Sequence, residues 1–110
     1  MIIDSHCHLT YEPMSNSLNE TIERANKDGI KYILTISTED KSFGLILKIV
    51  NDYKSVYGTY GIHPHEAKSH QHIKSVDIIN KVNQNKKIIG IGETGLDFYY
   101  NHSDKKDQIY

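Results

Sequence analysis

The sequence has a single cysteine and no long apolar run. Cys7 cannot form an internal disulfide, which is typical of a protein kept in a reducing cytoplasm. No apolar stretch approaches the roughly 20 residues of a membrane-spanning helix. The first residues also lack a basic segment followed by a signal-peptide core. The sequence therefore predicts a cytoplasmic protein with no membrane attachment.

An excess of charge of either sign is also absent. Thirteen basic and fourteen acidic residues give a formal net charge of −1, and neither sign is concentrated in a run. An extended basic arm for nucleic acid and an acidic tail are therefore excluded. Any phosphate group that the protein binds must be held by a local site.

Strand and helix patterns alternate along the 110 residues. Runs of β-branched residues predict strands at 2–3, 30–36, 56–60 and 88–91, and apolar residues at helical spacing predict helices at 18–25, 43–53, 73–82 and 103–110. Because each strand is followed by a helix, the order predicts an α/β fold with a parallel sheet.

Two of the predicted helices carry specific signals. Ser17 and Glu20 stand at capping-box spacing before the first helix, and Gly29 occupies the position where a left-handed residue commonly ends one. The apolar face of the third helix is predicted to consist of Ile73, Val76, Ile79 and Val82.

Polar motifs follow three of the four predicted strands. They are Asp4-Ser5-His6-Cys7-His8, Gly61-Ile62-His63-Pro64-His65 and Gly90-Ile91-Gly92-Glu93-Thr94-Gly95-Leu96-Asp97. The carboxyl ends of parallel strands meet at one rim, where α/β barrels place their active sites. We therefore expect the three motifs to lie at a common rim.

The first motif is a candidate metal site. His6 and His8 are two residues apart and point to the same side if the strand stays extended, so both imidazoles can bind one cation. Asp4 has the same parity and is a candidate to accept a hydrogen bond from one of them. Cys7 points to the opposite face, where we expect a small buried side chain. Such a histidine pair also occurs by chance, so its meaning depends on the other motifs.

The third motif brings a carboxylate to the same rim. Glu93 follows an apolar strand among glycines that let backbone or substrate approach closely. Its carboxylate can bridge two cations, and the alternative is an ion pair with a lysine or a helix cap. Asp97 is either a hydrogen-bond acceptor behind the site or a turn residue.

The second motif and the tyrosines after the third are candidates for substrate contact. His63, nearer the strand end, and His65 are expected to touch a phosphate group, and the alternative is an exposed turn. Tyr99 and Tyr100 either stack on a base or anchor the loop after the fourth strand.

Together the motifs resemble those of the TatD family of metal-dependent deoxyribonucleases, in order and spacing over all 110 residues. The resemblance implies a TIM barrel of the amidohydrolase superfamily that hydrolyses phosphodiester bonds in DNA, commonly as an exonuclease. It implies two divalent metal ions (zinc, magnesium or manganese), with His6 and His8 binding the first and Glu93 bridging it to the second. Glu93 and His63 would be the catalytic residues, and His63, with His65 and Tyr99, would contact the DNA substrate.

Four βα units make only the N-terminal half of such a barrel. The family's remaining ligands lie on later strands, so we expect residues 1–110 to form one partial TatD-like domain that stops within the fourth helix. Two open sheet edges should prevent a stable closed monomer, and self-association or the missing C-terminal half would complete the barrel. Two alternatives stay open: a catalytically incomplete metal-binding fragment or assembly partner, and an amidohydrolase-type enzyme acting on a small molecule.

Overall fold

The computed structural model describes residues 1–110 and is built around one four-stranded sheet. Its strands are β1 (Ile2–Cys7), β2 (Ile30–Thr35), β3 (Val56–Tyr60) and β4 (Ile88–Ile91). All three strand pairs are parallel, and the strands lie side by side in chain order. The predicted parallel α/β fold is confirmed.

A helix follows each strand. The α-helices are α1 (Leu18–Lys27), α2 (Phe43–Asp52), α3 (Ser75–Val82) and α4 (Lys105–Ile109). Short 3₁₀ helices cover Met14–Asn16, Asp40–Ser42 and Pro64–His70. The result is four consecutive βα units, the unit from which TIM barrels are built. None of the helices has the length and apolar character needed to cross a lipid bilayer.

The core lies between one face of the sheet and the helices. Helix α2 contributes most to it, because Phe43, Ile46 and Val50 recur along one stripe of its surface. The ring of Phe43 meets the edge of the buried Tyr60 ring on β3 at a centroid distance of 4.6 Å. The sheet is thereby held against α2 directly below the residues that follow β3.

The opposite face of the sheet is apolar and open. Ile3, Tyr32, Leu34, Tyr57 and Ile89 line a depression of about 280 Å³ on this face. Ile3 is 54% exposed and Ile89 is 59% exposed. In a closed barrel this face would be the interior, and β1 and β4 would each have a further neighbour. The predicted open edges and exposed apolar face are therefore present.

The predicted capping box at Ser17 is wrong, whereas the predicted helix end at Gly29 is confirmed. The Ser17 side chain makes no capping hydrogen bond. Its backbone N–H already donates to Met14 O at 3.1 Å, because a 3₁₀ turn runs directly into α1. Gly29 has φ of 94°, the left-handed conformation that ends a helix.

The predicted apolar face of α3 is only partly correct. Val76 and Ile79 are 55% and 53% exposed, and Ile73 precedes the helix. Ile78 and Val82 instead pack against the core. These two residues are four apart and so share one side of the helix, whereas Val76 and Ile79 lie on another.

Candidate metal centre

The strand ends bring the first and third motifs together at one rim. His6 lies at the end of β1, His8 directly after it, and Glu93 two residues after β4. Glu93 Oε2 is 3.5 Å from His6 Nε2 and 3.7 Å from His8 Nε2. One potential ligand atom from each residue lies within 4.8 Å of the others.

The chemistry and spacing of these three side chains fit a divalent cation. Bonds of about 2.1 Å to imidazole nitrogen and carboxylate oxygen in a tetrahedral site separate neighbouring ligand atoms by about 3.4 Å. The distances from Glu93 to His6 and His8 are close to that value. Mixed nitrogen and oxygen donors favour zinc and other transition metals over magnesium, which prefers oxygen.

The tautomer of His8 is fixed by a main-chain carbonyl. His8 Nδ1 lies 3.3 Å from Ile36 O, so Nδ1 carries the hydrogen and the lone pair on Nε2 is directed toward Glu93. The prediction that Asp4 accepts a hydrogen bond from a histidine ring is wrong. Asp4 Oδ1 accepts the backbone N–H of His6 at 3.1 Å instead of a ring N–H.

His63 approaches the other oxygen of Glu93. Its Nε2 lies 3.5 Å from Glu93 Oε1, and its Nδ1 accepts the backbone N–H of His65 at 3.1 Å. A neutral His63 therefore carries its hydrogen on Nε2 and is a donor at the rim. Burial lowers the pKa of His63 and outweighs the opposing effect of the Glu93 carboxylate. His63 is thus close to the candidate metal ligands but oriented as a hydrogen-bond donor.

His65 is engaged by Asp97. His65 Nε2 lies 2.7 Å from Asp97 Oδ2, and the hydrogen bond lowers the pKa of that carboxyl group. Asp97 Oδ1 also accepts the N–H of Tyr99 at 3.0 Å, so it is both an acceptor behind the site and a turn residue. The Tyr99 side chain is 85% exposed. His65 therefore ties the loop after β3 to the loop after β4.

The segment after β2 supports all three motifs, although it carries no motif of its own. Its successive carbonyls accept hydrogen bonds as follows: Ile36 O from His8 Nδ1 (3.3 Å), Ser37 O from Glu93 N (2.6 Å) and Thr38 O from His63 N (2.8 Å). Sequence reasoning missed this segment because the acceptors are main-chain atoms. The one available signal was a pair of small hydroxyl residues, Ser37 and Thr38, which are buried in the structure.

The absence of a side chain at Gly61 lets the ends of β3 and β4 come into close contact. A Cβ atom on Gly61 would lie 2.5 Å from the carbonyl carbon of Gly92 and 2.8 Å from its N and Cα atoms. Gly92 is also held by its N–H to Tyr60 O at 3.0 Å and by Thr59 Oγ1, which donates to Gly92 O at 2.6 Å. Glu93 therefore follows a backbone segment that is fixed on both sides.

A cavity of about 260 Å³ adjoins the candidate ligands. It is lined by residues of all three motifs and by Tyr11, Thr38 and Glu66, which were not singled out from the sequence. The ring of Tyr11 stacks on that of His8, with centroids 4.9 Å apart and planes inclined by 16°. A lone tyrosine in a loop gave no sequence signal for this contact.

Cys7 faces away from the site, as expected. Its Sγ donates to Leu34 O at 3.7 Å, and the side chain packs against the core. Burial, assisted by the negative charge of Asp4, raises the pKa of the thiol to about 12. The side chain is therefore a protonated thiol at neutral pH, and it lies outside the cluster of candidate ligands.

The chain matches proteins of known family. The family model described as TatD related DNase matches residues 3–110. An uncharacterized metal-dependent hydrolase of Buchnera aphidicola subsp. Baizongia pistaciae is 34% identical over 97% of this chain and 41% of its own length. The 3'-5' ssDNA/RNA exonuclease TatD of Salmonella typhimurium is 29% identical over 97% of this chain and 41% of its own length.

A solved structure has the same fold. The crystal structure of YjjV, a TatD homolog from Escherichia coli K12, superposes with a TM-score of 0.77 at 24% identity, over 98% of this chain and 42% of the other. The chain thus spans about two fifths of the length of the curated relatives it matches. Because the family model covers nearly every residue, the chain belongs to the TatD family.

Proposed function

We propose that this chain is part of a metal-dependent hydrolase that cleaves phosphodiester bonds in DNA, most simply as an exonuclease. The observation that carries the proposal is the convergence of His6, His8 and Glu93 at the carboxyl ends of β1 and β4. Membership of the TatD family and the printed activity of the Salmonella relative support the choice of substrate. A cytoplasmic location stays a prediction from the sequence.

Two divalent ions would supply an activated water and stabilise the charge on the phosphate and the leaving oxygen. His6 and His8 would hold the first ion through Nε2. Glu93 would reach both ions, because Oε2 faces the histidine pair while Oε1 faces His63 on the other side. A carboxylate with its two oxygens directed to different neighbours is suited to bridging.

The loop after β3 would position the phosphate. His63 presents Nε2–H at the rim and can donate to a phosphate oxygen without competing for a metal. In the proposed complex, His65 holds this loop through Asp97 and contributes to the wall of the cavity. We propose that Tyr99 contacts a base or sugar of the substrate, and its large exposure on the neighbouring loop supports this role.

We propose further that the open face of the sheet requires a partner. The apolar depression beside Ile3 and Ile89 and the unpaired edges of β1 and β4 support completion by a C-terminal half-barrel or by self-association. The same observation favours a second candidate function, in which the 110 residues alone bind metal or assemble with a partner without catalysing hydrolysis.

A nuclease assay with a Glu93→Ala variant tests the primary proposal. The complete protein that carries this chain would be incubated with labelled single-stranded DNA and Mn²⁺. Loss of both carboxylate oxygens should lower the rate by at least about a hundredfold. Glu20→Ala, at an exposed glutamate of α1, is the matched control and should retain full activity.

Two results would contradict the proposal. One is metal-dependent cleavage by the Glu93→Ala variant at the parent rate. The other is a preference for small phosphodiesters over DNA in competition, which would support a small-molecule hydrolase.

A further inference from the structure

Tyr11 is stacked on a candidate metal ligand and anchored to the rigid end of β2. Its ring lies nearly parallel to the ring of His8 at a centroid distance of 4.9 Å. Its hydroxyl lies 2.7 Å from Thr38 Oγ1. Thr38 is only 6% exposed, and its carbonyl accepts the N–H of His63. The tyrosine therefore joins His8 to a fixed part of the molecule.

One hydrogen bond is made by the imidazole of His8. The hydrogen bond from Nδ1 to Ile36 O is long at 3.3 Å, beyond the usual range of about 2.7–3.2 Å, and by itself permits the ring to tilt. The Tyr11 ring stacked on it, with centroids 4.9 Å apart, limits that tilt, because the His8 ring cannot turn without losing the stacking contact.

The orientation of the His6 imidazole depends in turn on that of the His8 imidazole. The His6 side chain is 55% exposed, and its ring meets the edge of the His8 ring at a centroid distance of 5.2 Å. No hydrogen bond from another group holds the His6 imidazole, whose one polar neighbour is Glu93 at 3.5 Å. A change in the orientation of His8 would therefore be passed on to His6.

We propose that Tyr11 is a positioning residue of the metal centre, which holds the His8 imidazole with Nε2 directed at Glu93. The aromatic ring does the positioning, and the hydroxyl anchors that ring to Thr38. The inference rests on the metal site of the proposed function and is independent of the substrate. Partners that orient metal ligands from behind typically contribute about 10–100-fold to metal affinity.

The first test is a titration of the complete protein that carries this chain with Co²⁺, followed by visible absorption. Tyr11→Ala should weaken Co²⁺ binding about tenfold and alter the absorption bands, which report ligand geometry. Tyr11→Phe keeps the ring and should bind within about threefold of the parent chain. Leu45→Ala is the matched control, since Leu45 is 39% exposed against 45% for Tyr11 and lies on α2, away from the open sheet face.

The second test needs no metal. ¹⁵N NMR of His8 at about pH 8 should show hydrogen on Nδ1 alone in the parent chain, because Nδ1 donates to Ile36 O, and a mixture of tautomers in Tyr11→Ala, where the ring is no longer held in line with that carbonyl. The proposal is overturned if this signal does not change. It is also overturned if Tyr11→Ala and Leu45→Ala bind Co²⁺ equally, or if Tyr11→Phe binds no better than Tyr11→Ala. A failure of DNA cleavage would bear on the substrate and leave these readouts unaffected.

Discussion

Substitution of Gly61 by alanine should displace the end of β4 and with it the candidate ligand Glu93. The new Cβ atom would lie 2.5 Å from the carbonyl carbon of Gly92, whereas ordinary contacts begin at 3.4 Å. The two backbones must therefore separate by about 0.9 Å, the difference between those distances. Because the obstacle is main chain, no side-chain rotation can relieve the contact.

The displacement is large on the scale of metal coordination. Glu93 is the residue after Gly92, and its Oε2 lies 3.5 Å from His6 Nε2. A movement of this size would take the pair to as much as about 4.4 Å, well beyond the roughly 3.4 Å edge of a tetrahedral site. Binding sites need their groups within about 0.5 Å of the productive geometry, so we expect Co²⁺ affinity to fall about a hundredfold.

Co²⁺ titration of Gly61→Ala beside Gly90→Ala measures this effect. Gly90 lies on β4 two residues before Gly92, and its added Cβ would meet only Thr59 Cγ2 at 3.6 Å, an ordinary contact. Far-UV circular dichroism and urea unfolding of both variants separate a local displacement from loss of the fold. Equal Co²⁺ affinities for two folded variants would refute the argument that this glycine contact positions Glu93.

Three further predictions concern the core. Burial raises the pKa of the Cys7 thiol to about 12. The native chain at pH 8.5 should therefore react with iodoacetamide at least about a hundredfold more slowly than the chain unfolded in urea. Equal rates would show that the native thiol is accessible and ionised. The unfolded thiol ionises at lower pH than the native one, so Cys7 also makes stability decline as pH rises above about 9, which urea unfolding at pH 8 and 10 can detect. Gly58→Ala would place a Cβ atom 2.7 Å from Ile46 Cγ2 and should lower the free energy of unfolding by about 1–3 kcal/mol. Gly44→Ala is the control, because a Cβ atom on Gly44 would meet nothing within 4 Å. Equal unfolding free energies for the two variants would contradict this prediction.

The fold could be predicted because its main signals are local. β-Branched runs and helical spacing identified every strand and α-helix, and the positions of the motifs indicated a common rim. Val76 and Ile79 of α3 were wrongly assigned to its buried face, because the apolar residues of this helix fit more than one stripe. Only the packing in the structure shows that Ile78 and Val82 face the core. The capping box at Ser17 failed because the sequence does not reveal the 3₁₀ turn that uses its N–H.

The candidate site was predictable to the extent that its chemistry resides in side chains. His6, His8 and Glu93 were identified from residue type and parity, and the structure brings their ligand atoms together. Their metal-binding roles stay predictions. Tyr11 escaped notice because stacking depends on where a loop folds back, and nothing in the residues around it specifies that path.

The support provided by the segment after β2 has a consequence for how such proteins diverge. A peptide carbonyl is present at residues 36–38 whichever amino acids evolution places there, so the three acceptors persist through substitutions that conserve the backbone path. Comparisons of homologous sequences can register the buried side chains of Ser37 and Thr38 but not the three carbonyls, which support the whole centre. Insertions or deletions there would be the damaging changes, because they alone shift each carbonyl away from its donor.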